Sequence, residues 1–201
     1  MKADIKPSKN RGETISQMEP LWIRESSTHR GPLADLALTL MQQSTALSSS
    51  LPPQIIHSLS TLVRSMNCYY SNLIEGHDTH PIDIERALQA DYSQNQQQRD
   101  LQLEAKAHID VQLWIDQGGM HTAPTTQSAI LGLHHRFCDQ LPDKLLWMTQ
   151  PNTGEPIRVE PGQLRQHDVA VGHHVPVSPG ALPRFMPVSY THLTLPTTPY
   201  V

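Results

Sequence analysis

The segment from Pro52 to Gly76 constrains this chain more than any other, because it reads as one complete helix with both ends marked. Pro52 and Pro53 suit a first turn, where φ near −65° is helical and no amide donor is needed. Ile55, Ile56, Leu59, Leu62, Val63, Met66, Tyr70 and Leu73 recur at three- and four-residue intervals, the pattern of one buried apolar stripe. Gly76 then stops the helix.

Other helices follow from the same reasoning. Leu33, Leu36, Ala37, Leu40, Met41 and Leu47 form an earlier stripe, separated from the first by Ser48-Ser49-Ser50. A short helix is expected from Ile82 to about Ala90, with Thr79 as its cap and Pro81 in its first turn. After a glutamine-rich connection over 91–98, residues 99–117 carry apolar side chains on two sides. Leu101, Ala105, Ile109 and Leu113 fall on one, and Leu103, Ala107, Val111 and Trp114 on the other, which predicts a central bundle position. A further helix is expected over 125–140, through Ile130, Leu131, Leu133 and Phe137.

Farther on, Pro161-Gly162 reads as a turn, and Val169 and Val171 alternate with small or polar neighbours, which predicts a short β-hairpin near 161–176. The exposed edge of such a hairpin can accept an extended segment. The fold class is therefore mainly α, a helical bundle with one small hairpin.

Composition excludes several classes of function. At 201 residues with a net charge of −4, the chain has no basic excess to attract nucleic acid. No apolar run approaches the roughly 20 residues that cross a bilayer, and residues 1–11 hold no hydrophobic signal core, so the expected location is cytoplasmic. Cys68 and Cys138 lie in predicted helices without partners at metal-ligand spacing and are read as reduced, partly buried thiols. Adjacent helical residues point about 100° apart, so His134 and His135 cannot share an ion, and no metal site is expected.

One residue is electrostatically out of place. Glu75 sits at the helix C-terminus, where the dipole disfavours an acid by about 0.3–1 kcal/mol, and Ser71 lies one turn back on the same side. Ser71-Asn72-Leu73-Ile74-Glu75-Gly76 closely resembles the inhibitory motif of Fic-family proteins, Ser/Thr-x-x-x-Glu-Gly/Asn. A second stretch from Pro161 to Pro176, with its Gly-x-x-Arg start and Val-Gly-His-His run, resembles the flap that precedes the Fic catalytic core.

The resemblance covers residues 55–186, and all its functional content is implication. It implies an inhibitory helix over 52–76 with Ser71, Glu75 and Gly76 as inhibitory residues, and a flap over 157–176 with Gly162, Leu164 and Arg165. It implies that Val171, Gly172, His173 and His174, together with Glu75, face a bound nucleotide. The activity implied is transfer of AMP from ATP, with Mg²⁺, to a Ser, Thr or Tyr hydroxyl of a target protein, and a homodimer is compatible with it. The family performs that chemistry with a His-x-Phe-x-Asp/Glu-Gly-Asn-Gly/Lys-Arg run, and the chain holds no such run, so no catalytic residue is assigned.

The expected layout is a flexible terminus over 1–20, a helical segment over 21–50 and the amino-terminal part of a Fic domain over 51–186. The stretch 187–201 has no charged residue and four threonines, and is expected to be a non-native tail. Two alternatives stand beside this reading: a non-catalytic helical binding module, or a Fic relative that transfers another phosphate group or removes AMP.

Overall fold

A computed structural model describes residues 10–17, 23–150, 153–169 and 175–193, with backbone alone over 188–193. It contains six α-helices: α1 (Arg30–Ser50), α2 (Pro53–Ile74), α3 (Pro81–Leu88), α4 (Gln96–Asp116), α5 (Gln127–Cys138) and α6 (Leu182–Leu193). One two-stranded antiparallel hairpin joins them, β1 (Trp147–Thr149) and β2 (Pro156–Arg158), with Met148 opposite Ile157. The fold is mainly α with a small hairpin, as the periodicities predict.

The core forms around α4, which packs against α2, α3 and α5. Buried Cys68, Ile84, Ala105 and Ile109 make its centre, with half-buried Tyr69 against them. Small residues let the helices approach closely: the Cys68 thiol lies 3.7 Å from the Ala105 carbonyl. The helix begins earlier than predicted, inside the glutamine-rich stretch, because the Asn95 side chain caps it by accepting the Gln98 amide at 3.1 Å. Gln102, fully buried, joins the segment before α4 to α3. Its carbonyl accepts the Ser93 amide at 2.7 Å, and its amide reaches the Asp83 and Asp91 carbonyls at 3.3 and 3.4 Å.

Helix α2 exists where predicted but is turned the other way. Ile55, Ile56, Leu59, Leu62, Val63, Tyr70 and Leu73 are 40–57% exposed, and only Met66 of the stripe is half-buried. The side facing the bundle is Arg64, Cys68 and Asn72. Polar groups pair across it: Arg64 donates to Asp116 at 2.6 Å and to Thr61 at 3.0 Å, and Asn72 donates to Thr79 at 3.3 Å. Thr79 does not cap α3: His80 occupies the cap position, without a side-chain bond. Helix α1 likewise forms where its stripe predicts, yet buries none of its residues.

Two further expectations are corrected. The hairpin lies over 147–158 rather than within 161–176; residues 159–169 hold no strand, so Val169 is not in one, and Val171 is outside the described residues. The amino-terminal stretch is not loose over 10–17. Arg11 and Glu13 bond to residues 168–178, as described below.

Candidate inhibitory turn and hairpin cleft

The end of α2 is a complete Schellman turn. The His77 amide bonds to the Asn72 carbonyl at 2.8 Å and the Gly76 amide to the Leu73 carbonyl at 3.1 Å, with Gly76 at φ +78°. This geometry requires a left-handed residue at position 76, which glycine supplies without a steric cost. It leaves Glu75 as the C-cap, exposed, with Ser71 exposed one turn back. Among the described residues no cation pairs with Glu75; the neighbouring His77 turns to Glu104 at 3.2 Å instead. At about 100° per residue, Ser71 and Glu75 share a column with Arg64, roughly 120–160° around the helix from the middle of the apolar stripe. They thus flank the inner face and present a hydroxyl and a carboxylate together, a pair that can receive a guanidinium from another surface.

The predicted flap residues gather elsewhere, around a cleft of about 860 Å³ walled by α5, the hairpin, the 163–169 segment and Leu182. Leu164 and Arg165 line it, as do His134, Trp147, Ile157 and Asp168; Ser71 and Glu75 do not. Gly162 is set into this wall by a bond from its amide to His134 Nδ1 at 2.9 Å. It too is left-handed, at φ +73°, and an added Cβ would stand 3.0 Å from His135 Cβ and 3.3 Å from the Leu131 carbonyl. Val171, Gly172, His173 and His174 lie outside the described residues.

Sequence reasoning missed a polar clasp beside this cleft. Glu13 accepts the Ser178 amide at 2.6 Å and the Ser178 hydroxyl at 2.7 Å, and Arg184 donates to the Glu13 carbonyl at 2.9 Å. Arg11 donates to Asp168 at 2.6 Å and to the Pro176 carbonyl at 2.5 Å, so it ties together the two described ends of chain around residues 170–174. Arg165 closes the same region by donating to the His167 and Val177 carbonyls. Desolvation acts to raise the Glu13 carboxyl, yet the Ser178 bonds and the Arg11 charge outweigh it and hold the group at about 2. Ser178 before Pro179 was a legible turn signal. Arg11 and Glu13 sit in a polar stretch without periodicity, and nothing local marks them.

The thiols are confirmed as buried: Cys68 is fully enclosed, and burial, with Glu104 nearby, pushes it up to about 12. Neither is poised as a nucleophile. The closest approach to the Fic catalytic run is His135-x-Phe137-x-Asp139. It ends α5 and continues as Gln140-Leu141-Pro142, without the glycine turn that would bind phosphates, and only the four-residue 3₁₀ turn Asp143–Leu146 follows. Among the described residues no three His, Cys, Asp or Glu side chains converge as a metal site. Without that glycine turn, His135, Phe137 and Asp139 do not fit the phosphate-binding part of the Fic run.

No family model, curated protein or solved structure matches the chain. Among the described residues no helix is long and apolar enough to cross a membrane.

Proposed function

We propose that this chain carries the inhibitory helix and flap region of a self-inhibited, Fic-type protein adenylyltransferase that works in the cytoplasm. The observation that supports this best is Glu75, exposed and without a cation among the described residues, one turn from Ser71 at a Schellman-ended helix. In this reading Glu75 takes the second arginine of the catalytic run and so displaces the ATP γ-phosphate from its productive pose, while Ser71 adds a hydrogen bond. The reaction controlled is AMP transfer from ATP to a hydroxyl of a target protein. A relative that transfers another phosphate group or removes AMP would use the same control. The 201 residues lack the catalytic run, so by themselves they are expected to be inert.

The test is to read the source locus across the codons for Met186 and Pro187 and to express any reading frame that continues there. Continuation into the catalytic run, with Glu75→Gly markedly raising auto-modification, supports the proposal; auto-modification unchanged by Glu75→Gly removes the inhibitory assignment. A specific observation favours a second reading, a non-catalytic helical binding module: the outward apolar faces of α1 and α2. Such a module gains no thermal stability from ATP-Mg²⁺.

A further inference from the structure

Helices α1 and α2 each hold an apolar stripe that the described residues leave uncovered. On α1, Leu33, Leu36, Leu40, Met41 and Leu47 are 45–69% exposed, and on α2 the exposed stripe runs from Ile55 to Leu73. Most of a helix's stability in a protein comes from packing one face, and among the described residues α1 buries none of its side chains. Exposed apolar surface on this scale marks an association site.

We propose that the partner is a second copy of this chain, with α1 of each copy lying along the α2 stripe of the other. Both halves of the seam are present in one sequence and match in size: α1 has 21 residues and α2 has 22, each about 32 Å long. Among the described residues the pairing is not made within one chain. Leu51 (φ −93°, ψ 135°) and Pro52 (φ −60°, ψ 147°) are both extended, and this two-residue link leaves α1 with no buried side chain. Its start is nevertheless visible: Leu47, Leu51, Ile56, Leu59 and Val63 line a groove of about 340 Å³ at the root of the two helices.

Charge argues for a like partner. Residues 30–74 contain only Arg30, Asp35 and Arg64 as charged side chains, and Arg64 is turned inward to Asp116. Nothing on the stripes selects an acidic or basic ligand, whereas a reciprocal two-fold contact needs only self-complementary apolar surface. The area is adequate. Two helices about 32 Å long and about 10 Å wide present roughly 640 Å² per copy, close to the roughly 800 Å² per partner of a standard interface. The resulting four-helix arrangement buries leucine and isoleucine from both chains in one seam. This inference does not rest on the enzymatic reading.

Light scattering on the 201-residue chain tests it. The expected mass is twice the 22.5 kDa of one chain. Leu40→Glu on α1 and Leu59→Glu on α2 are each expected to give monomers whose helical circular dichroism falls by no more than the 21 residues of α1. A native-like monomer for the unmodified chain overturns the proposal. Should either variant fail to fold, oxidation of the double variant Leu40→Cys, Leu62→Cys decides. A disulfide between chains supports the exchange, whereas a link closed within one chain, or no link between positions 40 and 62, overturns it.

Discussion

His134 Nδ1 accepts the Gly162 amide at 2.9 Å, which leaves Nε2 as the protonated nitrogen, 3.5 Å from Cys138 Sγ. One neutral imidazole therefore pins the 160–165 turn to α5. Protonation would put a donor against the Gly162 donor. Burial, and to a lesser degree His135, lowers the His134 pKa below its ordinary 6.5. The unfolded chain binds this proton first as pH falls, so the stabilisation is complete above 6.5 and is lost as pH drops from there through the lower folded value. His134→Gln is expected to flatten that part of the stability curve in urea titrations between pH 7 and 5.

The Glu13–Ser178 clasp titrates in a different range. Its carboxyl is held at about 2 against an ordinary 4.5, so its stabilisation is full above 4.5 and disappears as pH falls through about 2. Glu13→Gln should melt a few degrees below the parent at pH 7, and the two melting curves should converge near pH 2. Melting curves that differ equally at both pH values would show that the charge is not what Ser178 holds.

Two left-handed residues predict opposite effects of opposite substitutions. Gly76 ends α2 at φ +78°, and Gly76→Ala should cost about 1 kcal/mol. Ala90 ends α3 at φ +59° in the same kind of turn, with the Asp91 amide on the Arg86 carbonyl at 2.9 Å. Ala90→Gly should therefore stabilise by up to about 1 kcal/mol, read from urea midpoints.

Gln102 supports three backbone groups from a fully buried site. Gln102→Leu keeps the volume but strands the Ser93 amide and the Asp83 and Asp91 carbonyls, at an expected cost of about 1–3 kcal/mol. Hydrogen exchange at the Ser93 amide should rise more than exchange at Ala107, on the far half of α4.

Elements were legible in the sequence where local chemistry decides them. The Pro52-Pro53 start and Gly76 stop bound α2, the two-sided apolar pattern put α4 at the centre, and Pro81 opened α3. Ser71 and Glu75 were legible as a pair because helical spacing alone puts them one turn apart.

What only the tertiary structure decided was which face turns inward. Periodicity assigns Ile55, Leu59 and Leu62 to a core because apolar area seeks cover, but it carries no information about what cover exists. The described fold offers α2 an ion-pair partner in Asp116 and a hydroxyl partner in Thr79, so Arg64 and Asn72 go in and the stripe stays out. The Glu13–Ser178 clasp was equally hidden. Hydrogen bonds between residues 165 positions apart leave no local pattern, because they depend on where the fold returns the chain.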